Sequence, residues 1–192
     1  VAILFIVLLT SSFVFAQNTY VPDDNFEQAL IDLGYDTTLD DSVLTANISG
    51  VTSLSVNDKS ISDLTGIEGF TALTELHCYN NQLTSLDVSS NTALTSLDCH
   101  NTQLTYLNMR NGVTELVLFN AMDNSSLTCI EVLDPDWATA NWTSAKENID
   151  AGVTFAYICG VDVDGVSTYN NNGIKAITFN VELPTHSLPD TN

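Results

Sequence analysis

The sequence predicts a repeat solenoid: a short right-handed stack of coils with a parallel β-sheet on its concave face, an N-terminal helical cap and a C-terminal cap. Three observations carry this. Residues Leu73 to Met109 repeat themselves, with Leu73, Leu76, Cys78, Leu83 and Leu86 recurring 21 residues on as Leu94, Leu97, Cys99, Leu104 and Leu107. The spacing L-x-x-L-x-[L/C]-x-x-N-x-L is met in full by Leu73, Leu76, Cys78, Asn81 and Leu83. In Leu76-His77-Cys78 apolar and polar residues alternate, as in a short strand with Leu76 and Cys78 facing inward.

A period of 20–29 residues with that spacing is the signature of the leucine-rich repeat solenoid. One coil buries too few apolar side chains to offset the conformational entropy of ordering its residues. Its stability therefore comes from stacked neighbours and from caps at both ends.

The chain opens on VAILFIVLLTSSFVFAQ, uncharged throughout, with Val14-Phe15-Ala16 before Gln17. This reads as the apolar core and cleavage site of a signal peptide over 1–16, too short to span a bilayer. An initiator Met and a basic leader are missing, as expected of a sequence that begins inside its gene product. Removing 1–16 leaves the net charge at −20, from 24 acidic residues against four basic ones. That balance argues against nucleic acid or anionic lipid as partner and against membrane insertion after signal removal. Acidity by itself is what keeps many secreted proteins soluble; divalent cations or cationic partners are the sharper reading.

Residues 17–50 form the expected N-terminal cap, with a helix over about 23–33. Asp24 followed by Glu27 has the capping-box spacing, Phe26, Leu30 and Leu33 share a helical face, and Gly34 ends the run. Asp36, Asp40 and Asp41 lack the order of a calcium-binding loop and read as a surface turn.

The repeats occupy 51–132 in about four coils. Val51, Leu54, Val56 and Ile61 open the array, and Lys59 stands where Asn is expected. A first coil tolerates this, having no earlier coil to tie to. In the third coil Thr102 replaces the Asn, so the side-chain ladder should weaken there. The fourth is expected to begin at Val113, with Leu116 and Leu118 inward, Ala121 in place of Asn, and an insertion over Met122–Ser126.

The run from Phe26 through Val88 resembles secreted bacterial leucine-rich repeat proteins, internalin-like in the broad sense, and in particular exported repeat proteins of the Bacteroidetes. The carrying stretches are VPDDNFEQALIDLGYD, VTSL, ISDLTGIEGF, LTEL and NNQLTSL. The resemblance implies a binding or adhesion module of a longer surface protein, secreted or at the bacterial cell surface, non-catalytic, with no cofactor.

Residues 133–160 are expected to form the C-terminal cap, with Trp137 and Trp142 over the last coil and a strand from Val153 toward Cys159. In an exported protein an even cysteine count permits bridges, and Cys129 with Cys159 is the expected pair, contributing about 3–4 kcal/mol. Cys78 and Cys99 hold inward positions and read as buried thiols acting as small hydrophobes. Residues 161–192 read as a tail or the start of a further domain. Asp162-x-Asp164-Gly165 there is half a calcium loop, with Gly160 and Asn171 where the outer ligands belong.

The outward residues of the strands give the candidate binding face. They are Ser53, Ser55 and Asn57, then Glu75, His77 and Tyr79, then Ser96, Asp98 and His100, then Glu115, Val117 and Phe119. The expected ligand-binding residues are Glu75, His77, Tyr79, Asp98, His100, Glu115 and Phe119, with Tyr79, His100 and Phe119 in one column. Aromatic rings on a rigid sheet with carboxylates alongside suit a protein or polysaccharide ligand. The rival reading is a structural spacer whose face is merely solvated. A metal site on Glu75, His77, Asp98 and His100 has adequate chemistry, but flat-sheet positions do not converge on one ion. No catalytic motif accompanies the open carboxylates, so no hydrolase is expected.

Overall fold

The computed structural model describes residues 17–112 and 116–160. The signal-peptide stretch, Val113 to Glu115 and the tail from Val161, with its half calcium loop, lie outside the described residues. What is described is a leucine-rich repeat solenoid between two caps.

The N-terminal cap comprises β1 (Asn18–Tyr20), α1 (Asp24–Asp32), β2 (Ser42–Leu44) and α2 (Thr45–Ile48), with β1 and β2 antiparallel. Helix α1 starts one residue earlier than the capping-box reading has it: Asp23 is the N-cap, accepting from the N–H groups of Asn25 and Phe26 at 3.0 Å. Glu27 does not reach back to close a box. It is fully buried and accepts from the N–H groups of Asp40, Asp41 and Ser42, so it pins the loop beyond the helix. Phe26, Ala29 and Leu30 are buried, whereas Leu33 is exposed, because it is the C-cap and the chain leaves the helix there. Gly34 follows in the left-handed region at φ 80°, as the expected terminator.

The repeats contribute β3 (Ser53–Ser55), β4 (Glu75–His77), β5 (Ser85–Asp87), β6 (Ser96–Asp98), β7 (Tyr106–Asn108), β8 (Leu118–Asn120) and β9 (Cys129–Glu131). The C-terminal cap adds α3 (Pro135–Asn141) and β10 (Thr154–Ala156). Strands β3, β4, β6 and β8 form a parallel front sheet, the one expected to line the concave side. A second parallel sheet, β5-β7-β9-β10, forms the back. Of the back strands β10 was expected and β5, β7 and β9 were not, yet Leu86-x-Val88, Leu107-x-Met109 and Ile130-x-Val132 are all inward-facing alternations.

The core lies between the sheets. Leu54, Leu76, Leu97 and Phe119 stack in register from the front, and Leu86, Leu107 and Ile130 from the back. Cys78 and Cys99 are completely buried beside them, as the inward spacing predicts.

The fourth coil differs from expectation by a shift of register. Strand β8 is centred on Phe119, which pairs with Leu97 and is buried; Leu118 is exposed. The repeat is then Leu116-x-x-Phe119-x-Ala121-x-x-Asn124, so Ala121 takes the inward cysteine position and Asn124 the ladder position. The irregularity is one added residue at Ser125-Ser126 before Leu127.

Side chains stitch each coil to the one before. Asn81 accepts from the N–H groups of Lys59 and Ile61 and donates to the carbonyl of Val56. Asn124 accepts from the N–H groups of Gln103 and Leu104 and donates to the carbonyl of Cys99. Thr102 between them bonds within its own coil, to the carbonyl of Cys99, and forward to Asn124, so the ladder thins where Asn is replaced. Hydroxyls repeat the pattern, with Thr74 donating to the carbonyl of Thr52, Thr95 to Thr74, Thr105 to Thr84 and Thr154 to Thr128.

The C-terminal cap closes the last coil. Trp142 packs on Phe119 with ring centres 4.6 Å apart, and Trp137 meets Trp142 edge-on at 5.3 Å. The expected disulfide is present between Cys129 and Cys159, with Cα atoms 5.9 Å apart.

Candidate functional site

The front sheet owes its outward display to the two-residue period of a strand: the residues flanking each buried one must face solvent. Parallel pairing then aligns them into columns. Ser53, Glu75, Ser96 and Leu118 form one, and Ser55, His77, Asp98 and Asn120 the next. A third column continues beyond the strands, where the N–H groups of Asp58, Asn80 and Asn101 donate to the carbonyls of Tyr79, His100 and Met122.

Five of the seven expected ligand-binding residues are brought together here. His77 sits opposite Asp98, as neighbouring strand positions require. Tyr79 and His100 stack nearly parallel, with ring centres 4.7 Å apart and planes 12° from parallel. The His100 Nδ1 lies 2.6 Å from Asp98 Oδ1, fixing the imidazole beside the carboxylate. Glu75 is exposed and accepts from the Ser53 hydroxyl at 3.1 Å.

The other two are not in the site as expected. Glu115 lies outside the described residues. Phe119 is not in the aromatic column, because the register shift turns it into the core against Trp142; Met122 occupies its place in the column. Sequence reasoning missed the residues the shift turns outward, Leu118 and Asn120, with Val117 before them 88% exposed. The signal was there in Asn124, whose ladder position fixes the register five residues earlier. A groove of about 430 Å³ beside β8 is lined by Leu116, Val117, Phe119, Trp137 and Trp142, with Lys146 at it.

Below the third column, Asp58, Asn80 and Asn101 occupy the left-handed region at φ 58°, 54° and 49°. Short amide and carboxylate side chains tolerate that conformation best. They bond to one another, Asn101 Nδ2 to Asn80 Oδ1 at 2.7 Å and Asn80 Nδ2 to Asp58 Oδ1 at 2.9 Å. Hydrogen bonds from Asn57 and then Asn80 hold the Asp58 carboxyl below its ordinary pKa.

The histidine-carboxylate set on the front sheet does not converge as a metal trio. Among the described residues, donor atoms that lie within 4.8 Å of one another belong to Glu27, Asp36 and Asp40 in the N-terminal cap. Asp40 and Asp41 are exposed, as a surface turn requires. Asp36 departs from that reading: it is half-buried, and its Oδ2 is sheltered without a hydrogen-bond partner.

Residues 71–107 match the family model for leucine-rich repeats in two copies. Over 74 residues the chain is 38% identical to Internalin J of Listeria monocytogenes serotype 4b, a match covering 38% of this chain and 8% of that protein. Among solved structures, it is similar to the functional domain of InlJ from Listeria monocytogenes, which includes a cysteine ladder. The identity is 29% and the TM-score 0.49, over 76% of this chain and 29% of that one. An internalin of the same organism, inlF, gives 17% identity and a TM-score of 0.48, over 71% of this chain and 43% of the other. The chain thus spans less than half the length of each of these relatives.

Proposed function

We propose that this chain, an internalin-like leucine-rich repeat protein, is a non-catalytic module that binds a protein partner across its front sheet. The observation that carries the reading is the pre-ordered, partly exposed set of Glu75, His77 and Asp98 on the strands with Tyr79 and His100 just beyond them, fixed by parallel pairing, ring stacking and side-chain bonds. Rigid aromatic groups lose little entropy on binding, and tyrosine is among the residues that dominate protein interfaces. Leu118 and Val117 extend the set with apolar surface in place of the buried Phe119.

A secreted or cell-surface location fits two features: the apolar opening segment over 1–16 and the Cys129–Cys159 disulfide, which persists in oxidising compartments. Among the described residues no helix is long and apolar enough to cross a membrane.

The test compares retention of proteins and of arrayed polysaccharides by the wild-type chain, by Tyr79→Ala/His100→Ala/Leu118→Ser, and by a back-sheet control, Ser85→Ala/Thr128→Ala. Binding is expected to a protein, lost in the front-sheet variant and kept in the control. Retention of a polysaccharide instead would replace the protein partner by a glycan. Equal retention by all three forms would remove the front sheet from the function, and no ligand at all would favour a spacer.

A further inference from the structure

We infer that the partner meets the front sheet through a basic segment, rich in arginine or lysine; the inference rests on the front sheet being the binding face. Three observations lead there. First, the chain carries 24 acidic residues against four basic ones. Second, the described basic groups are already engaged with partners of their own. Lys59 pairs with Asp32 at 3.3 Å, Arg110 with Glu131 at 3.0 Å, and Lys146 Nζ donates to the carbonyl of Asn141 at 3.1 Å.

Third, the front carboxylates have only neutral donors or an imidazole beside them. Glu75 accepts from Ser53, Asp58 from Asn57 and Asn80, and Asp98 lies against His100. None of the described lysines and arginines pairs with them.

The spacing selects the kind of cation. Glu75 and Asp98 lie on adjacent strands in different columns, and Asp58 lies beyond the strand ends, so one metal ion cannot touch all three. A chain segment laid across the strands can, with one basic side chain to each carboxylate. The stacked rings of Tyr79 and His100 stand among them and give the aliphatic stem of lysine or the flat guanidinium of arginine a surface to lie on. A neutral glycan would leave these carboxylates without opposite charge, and an anionic one would be repelled.

The probe is a fluorescently labelled nine-residue peptide alternating Arg and Ser, compared with the same peptide carrying Glu for Arg. It is titrated into the wild-type chain, into Glu75→Gln/Asp98→Asn, and into a control of equal charge change, Asp24→Asn/Asp136→Asn. The basic peptide is expected to bind the wild type, with affinity falling as salt rises, and the acidic peptide not to bind. The front-sheet pair should weaken binding about three- to tenfold, and the control less than twofold. Tyr79→Ala should weaken it further without changing the salt dependence.

Equal losses in the front-sheet pair and the control would reduce the effect to non-specific attraction by net charge and overturn the inference. So would binding of both peptides alike, or of neither. If a captured protein partner is lost in Tyr79→Ala/His100→Ala/Leu118→Ser but is not displaced by the basic peptide, the binding face stands and its basic partner does not.

Discussion

At the scale of single residues, one ladder position carries much of the argument. Asn81 and Asn124 are buried and satisfied, each by bonds to the preceding coil, and these bonds lock the register of the strand above. The first three coils were legible because their apolar residues fall at unambiguous spacings, with Asn81 completing the pattern in the second. The fourth was not, because Leu116, Leu118 and Phe119 leave two registers equally apolar, and only Asn124 decides between them. Phe119 was misplaced for that reason, and the exposed Leu118 was missed with it. Cys78 and Cys99 yield a prediction at this scale. Burial, aided by the nearby Asp98 charge, pushes the Cys78 thiol far above its ordinary range, and burial does the same at Cys99. Thiolate is the reactive form. A thiol reagent at pH 8 should therefore leave both unlabelled in the folded protein and label both once it is unfolded. Fast labelling of either in the native state would contradict the coil packing.

At the scale of elements, the N-terminal helix is held at its start by one carboxylate with two tasks. Asp23 caps α1 through one oxygen and accepts from the N–H and hydroxyl of Ser62 and the N–H of Asp63 through the other. Partial burial pushes its pKa up, but the hydrogen bonds from Ser62, Phe26 and Asp63 outweigh it, and the carboxyl titrates below its ordinary value. The folded state thus prefers the ionised form. Its contribution is complete above the unfolded carboxylate range, near pH 4, and fades as pH falls through the lower folded value. Asp23→Ala should cost about 0.5–2 kcal/mol at pH 7 and less at pH 3, read from urea unfolding at the two pH values. An equal cost at both would mean that the charge is not what matters. A helix about 23–33 ended by Gly34 was legible from spacing. The task of Glu27 was not, since nothing local marks a side chain that reaches a loop thirteen residues away.

At the scale of the molecule, the array depends on its ends, as a stack of individually unstable coils must. The disulfide between Cys129 in β9 and Cys159 after β10 closes the C-terminal cap over the last coil. Reduction should lower stability by about 3–4 kcal/mol, measured as a drop in the urea midpoint on adding a reductant. The loss should be seen first by Trp137 and Trp142 fluorescence, because both tryptophans sit in that cap. A midpoint unchanged by reductant would show the cap held by packing alone. The cysteine pair was legible from its count and position. In the second parallel sheet β10 was legible but β5, β7 and β9 were not, because the repeat spacing marks the front strand and leaves the return segment unassigned.

Many of the side-chain donors that stitch the coils point toward the amino end. Asn81, Thr74, Thr95, Thr105, Asn124 and Thr154 all donate backward, to carbonyls already laid down by the preceding coil. A chain emerging from the ribosome, or from a secretion pore, amino end first therefore finds the acceptors for these donors already in place. The first coil in turn holds out the N–H groups of Lys59 and Ile61, which only the asparagine of the next coil satisfies, so growth can proceed like courses of brick laid and then locked from above.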